Sequence, residues 1–151
     1  MIVVEVVVAC VIAWFAGDAY RSRASGWLAL GGRFTSTRRV EGAVFRGRSA
    51  VLGTRWLAAR YLNSLTVVVG EGALAISRPF PLRFGHPSLV IPWTAIAACQ
   101  PVRFWGFPYV ELRFRDIDRP WRFPGDVGRA IHDAWRAHRA GSVHRASAPR
   151  E

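Results

Sequence analysis

Apolar positions follow three rhythms along this chain. Ile2 to Gly17, IVVEVVVACVIAWFAG, is a continuous apolar run of sixteen residues broken by one charge, Glu5. From Arg38 to Phe123 apolar residues recur at every second position, in short bursts separated by Gly and Pro, which is the signature of strands. Beyond Pro124-Gly125 the period lengthens. Val127, Ala130, Ile131, Ala134 and Trp135 fall at i, i+3, i+4, i+7 and i+8, one apolar stripe of a helix that Asp126 can cap and that runs to about Ala140.

Within the strand-rich region, Leu65 to Ser77 is the clearest hairpin, with Gly70-Glu71-Gly72 as its turn. Tyr109 to Arg115 alternates most cleanly: Val110, Leu112 and Phe114 face inward, and Glu111, Arg113 and Arg115 are expected to face water. Further strands are expected at Val40–Phe45, Arg55–Tyr61, Phe80–Phe84, Ser88–Trp93, around Ile96–Cys99 and at Trp121–Phe123. Six or seven antiparallel strands closed by one amphipathic helix predict a mainly β, α+β fold: a small barrel or sandwich over residues 38–140. Residues 141–151 read as a flexible basic tail.

The N-terminal run is the segment whose reading decides localisation. Residues 1–20 as a helix would span about 30 Å, the thickness of a bilayer's hydrocarbon core. Trp14 and Tyr20 suit a membrane interface, and Arg21 and Arg23 follow at once, while no basic residue precedes the run. The positive-inside tendency then places the N-terminus outside and the rest in the cytoplasm, attached to the inner membrane by a single pass. A cleaved signal peptide and a buried element of a soluble fold are the competing readings. The signal peptide lacks its basic n-region. Residues 21–37 form a juxtamembrane segment in which Ser25 can cap a short helix, with Trp27, Leu28, Leu30 and Phe34 expected to pack under the domain.

Charge sharpens this picture. All 21 basic residues are Arg, and residues 21–151 set them against eight acids, a balance of +13 that attracts polyanions. Cys10 and Cys99 form no CxxC pair and read as reduced, buried thiols. His86 lies in the turn Gly85-His86-Pro87-Ser88, where Gly and Pro set the backbone, and its nearest acids in sequence are Glu71 and Glu111. It reads as a structural turn histidine. His132 and His138 are six apart, on opposite helix faces, unlike the i, i+4 pair a metal needs. No P-loop, GxSxG or HExxH occurs, so neither catalysis, a metal nor a cofactor is expected.

The order of elements, and above all LVIPWTAI from Leu89 to Ile96, resembles bacterial pleckstrin-homology-like (PH-like) and GRAM-like domains. In those domains an apolar strand often ends in Ile-Pro-aromatic with an Ile shortly after. RFGHPSLVIPWTAI also resembles a stretch in short bacterial membrane-anchored proteins. The resemblance covers residues 40–138 and implies a membrane-tethered binding or scaffolding module whose partner is an anionic lipid, a peptide, a membrane protein or a second copy. Arg78 and Arg83, flanking Pro79 to Pro81, and Arg103, before Tyr109, are the expected ligand contacts. Two alternatives remain open: an accessory subunit of a larger membrane complex, and a nucleic-acid binder using Trp105, Phe107 and Tyr109 for stacking. The second lacks any RNP-type motif.

Overall fold

The computed structural model describes residues 2–56 and 58–146. Helix α1, Ile2–Ala24, is followed by α2, Trp27–Phe34, and then by seven strands. These are β1 (Gly42–Leu52), β2 (Ala59–Gly70), β3 (Ala73–Ser77), β4 (Leu89–Pro92), β5 (Ile96–Phe104), β6 (Phe107–Phe114) and β7 (Trp121–Pro124). Helix α3, Gly125–Ala146, ends the described chain. Its helical course takes in the first part of the expected tail, and residues 147–151 lie outside the described residues.

All seven strands form one antiparallel sheet in the order β4-β3-β2-β1-β7-β6-β5, curled into a half-barrel. Pairing of Val51 with Arg122 and of Leu52 with Trp121 welds the first four strands to the last three. The expected small barrel or sandwich takes the form of a half-barrel, in which β4 and β5 remain edges of the strand order. Pro92 ends β4 without an amide to donate, and a 3-10 turn, Trp93–Ala95, separates the two strands. Phe80–Phe84 is not a strand either. It is a turn running through Gly85, since Pro79 and Pro81 remove two of the amides a ladder would use.

One apolar cluster fills the concave side. Leu65, Val67, Leu74, Ile76, Leu89 and Ile91 enter it from alternate positions of β2 to β4, and Val110, Leu112, Trp121 and Phe123 from β6 and β7. The stripe of α3 seals it with Val127, Ile131 and Trp135. Gly128 permits this seat, since a Cβ there would collide with the Phe123 carbonyl. The short helix α2 is no surface appendage: Trp27 and Leu30 are fully buried, and the Trp27 ring lies 5.3 Å from that of Trp121.

Helix α1 differs from every other element. Each residue from Val3 to Trp14 is exposed, and its apolar side chains are distributed around the whole circumference rather than along one stripe. Among the described residues, Val3–Ala24 is the single helix long and apolar enough to cross a membrane. Cys10, expected to be buried, is exposed on it. The helix stops at Gly26, whose positive φ of 79° lets the chain turn sharply into α2.

Candidate functional site at the junction of the first helix and the sheet

Where α1 meets the half-barrel its surroundings change abruptly. Asp18 is only 4% exposed, although it follows an apolar run. Its carboxylate accepts from Arg78 Nη1 at 2.9 and 3.1 Å, across 60 residues of sequence. Arg78 is itself 6% exposed. It leaves the end of β3, and its guanidinium lies over the Tyr61 ring at 5.2 Å. Asp18 also lies 3.2 Å from Nδ1 of His86, which is fully buried.

His86 links two groups of hydrogen bonds. Nδ1 is 3.0 Å from the Phe84 carbonyl and 3.2 Å from Asp18, two oxygens that favour a proton on that nitrogen, and 3.1 Å from Arg78 Nη1, a donor that opposes it. Nε2 is hydrogen-bonded to the Tyr61 hydroxyl at 2.8 Å, and Tyr61 meets Ser25 Oγ at 3.2 Å. Burial pushes the imidazole below its ordinary value and Arg78 pushes the same way, while the Phe84 carbonyl and Asp18 pull against them. The neutral ring is therefore favoured. Burial likewise pushes the Tyr61 phenol up to about 12, keeping it a donor.

Backbone contacts complete the clamp. Ser22 donates to the Gly85 carbonyl at 2.6 Å, and the Trp27 indole donates to that of Pro87 at 2.8 Å. The Trp121 indole donates to the Ser25 carbonyl at 2.8 Å, and Arg119 covers the carbonyl of Ala24. Thus the last turns of α1 are held from the β3–β4 turn on one side and from β7 on the other.

The line carboxylate, imidazole, phenol, hydroxyl uses group types that serve proton transfer in acyl-transfer sites. Here every member is sealed by protein, with His86 and Ser25 fully buried. What this arrangement does is fix one helix rigidly to one sheet.

The residues singled out from sequence are not brought together. Arg78 is buried in the clamp rather than presented on a rim. Arg83 is exposed in the turn before β4 and donates to Ser88 Oγ at 3.1 Å. Arg103 is exposed on β5 opposite Pro108, at the other edge of the strand order. Trp14, Tyr20, Arg21 and Arg23 are all exposed on α1. Glu111, expected to face water, is buried and bonded to Arg122 at 2.8 Å on the neighbouring strand. Sequence reading gave Ser25 only a helix-capping role, although the cap position is taken by Gly26, and it missed Asp18, Tyr61 and Ser22. The one available signal was Asp18, a carboxylate at the end of an apolar run with no basic residue within a turn on its N-terminal side. Among the described residues no group of three or more His, Cys, Asp or Glu converges to hold a metal.

No protein-family model matches the chain, and no curated protein is detectably similar to it in sequence.

Proposed function

We propose that this chain is a non-catalytic, membrane-tethered module in which α1 is a single-pass anchor, N-terminus out, and a PH-like β domain is held at the cytoplasmic face. One observation carries the reading: α1 is apolar on every side and uncovered by protein from Val3 to Trp14, and then becomes clamped at Asp18. A helix apolar all round needs an apolar surrounding, and the described residues supply none over Val3 to Trp14. An amphipathic helix lying on a bilayer would instead carry a polar face. Arg21 and Arg23 at the clamped end support the orientation. The curled antiparallel sheet with its C-terminal helix fits the PH-like resemblance.

The partner on the cytoplasmic side is an anionic headgroup or a protein partner, recognised by exposed arginines such as Arg83 and Arg103 rather than Arg78. The accessory-subunit reading gains support from Leu62, Trp105 and Phe107, which stand exposed around a small hollow on the outer sheet face. Washing membranes that contain the full chain tests the tether. Retention after alkaline carbonate and high salt is expected, and release without detergent would overturn it.

A further inference from the structure

Two loops flank the clamped end of α1 on opposite sides, and both carry aromatic rings that the protein leaves uncovered. On one side is the turn 80–85. Its Phe84 ring packs against Phe15 of α1 with centroids 4.6 Å apart, its Gly85 carbonyl is bonded to Ser22, and Gly85 approaches Ala19. Phe15, Ala19 and Ser22 lie at i, i+4 and i+7, one face of the helix. On the other side Trp56 shares a shallow hollow with Gly17, Tyr20 and Ala24, which run up the opposite face. Phe80 is 88% exposed, Trp56 87% and Phe84 61%.

Depth follows from the contact between Phe84 and Phe15. Arg21 and Arg23 mark the polar boundary of the anchor, and Phe15 lies six residues above Arg21, about 9 Å along a helix axis rising about 1.5 Å per residue. A turn that touches Phe15 therefore reaches well past the level of the anchor's own arginines. In water, the exposed rings would form an unexplained apolar collar around the helix exit. Around the same exit, Arg55 adjoins Trp56 and Arg83 adjoins Phe84, both exposed, and Arg21 and Arg60 line the Trp56 hollow. Aromatic rings interleaved with arginines match the bilayer interface, where rings sit among the headgroups and guanidinium groups meet lipid phosphates.

From this geometry we infer that the β domain is partly sunk into an anionic bilayer surface, with the 54–56 loop and the 80–85 turn inserted beside α1. The inference rests on the reading of α1 as the anchor. The domain is thereby held at one tilt and depth, presenting the β2–β3 turn at Glu71-Gly72 away from the membrane.

The test uses the full chain with Cys10→Ala and, one at a time, Trp56→Cys, Phe80→Cys or Phe84→Cys carrying an environment-sensitive fluorophore, with Cys99 left in its buried place. The chains are reconstituted into phosphatidylcholine–phosphatidylglycerol vesicles. Two further positions are labelled: Ile12 on α1, and Gly72, where a side chain meets open space. At 56, 80 and 84 the expected result is blue-shifted emission quenched by nitroxide-bearing lipids, as at 12, with neither effect at 72. Water-like emission at all three loop sites together with lipid quenching at 12 would overturn the insertion and leave the tether standing. Water-like emission at 12 as well would overturn the anchor on which the insertion rests.

Discussion

Replacing Arg78 by Met isolates the energetics of the clamp. The guanidinium and the Asp18 carboxylate are 2.9 Å apart and both are nearly fully buried. Their attraction, at an effective dielectric of about 20, is roughly 5 kcal/mol, and much of it offsets the cost of removing both charges from water. Removing only the cation leaves a carboxylate stranded beside a neutral imidazole, and breaking a buried pair in this way costs about 3–5 kcal/mol. Truncation also removes the guanidinium from the Tyr61 face. For a chain of this size the expected drop in Tm is roughly 6–20 °C. Thermal unfolding of the purified chain in detergent at pH 8, followed by near-UV circular dichroism, reads it out while His86 stays neutral. The double variant Asp18→Leu with Arg78→Met removes both charges and is expected to recover most of the loss, because an apolar pair of similar volume leaves nothing uncompensated. Raising the ionic strength should change neither result, since a sealed pair is poorly screened. A loss below about 1 kcal/mol for Arg78→Met, or a double variant weaker than the single, would refute the clamp as a coupled ion pair.

Three further outcomes are expected. His86 is pushed down in the folded chain, so the unfolded chain takes up the proton first; stability is complete above about pH 6.5 and falls as the pH drops below it. Melts at pH 7.5 and 5.5 should show that fall, and His86→Gln should flatten it; an equal fall in His86→Gln would place the titrating group elsewhere. Trp27→Ala empties the contact among Tyr61, His86 and Trp121 and leaves the Pro87 carbonyl unpaired, costing about 3–5 kcal/mol in denaturant unfolding. A cost near zero would mean that α2 is not part of the core. Burial pushes the Cys99 thiol up to about 12, so alkylation at pH 8 should leave it unmodified until denaturant is added. Mass spectrometry showing ready native modification would contradict its place in the core.

What could be read in advance was whatever depends on neighbours in sequence. Side chains alternate on a strand and recur every three to four residues on a helix, so the face of β6 carrying Val110, Leu112 and Phe114, and the α3 stripe through Ile131, were legible from the order of residues. The apolar run of α1 was legible for the same reason. Strand register was not. Glu111 reads as a solvated residue until β7 sets Arg122 opposite it. Phe80 to Phe84 has the composition of a strand, and only its prolines hint that no ladder forms there. The clamp lay furthest from view, because Asp18, Tyr61, Arg78 and His86 come from four separate stretches of chain. Arg78 next to a proline-rich turn looks like a surface cation for as long as its counter-ion is unknown.

The proposed continuity between a lipid-facing helix and a protein-clamped end can be probed by one nitroxide scan along α1, with labels stepped from Val3 to Ala24 in vesicles and oxygen and water accessibility measured at each site. Oxygen accessibility is expected to be high on all faces from Val3 to Trp14, with immobile, protein-buried spectra at 18 and 22. Water accessibility throughout the Val3–Trp14 stretch, or mobile spectra at 18 and 22, would contradict it.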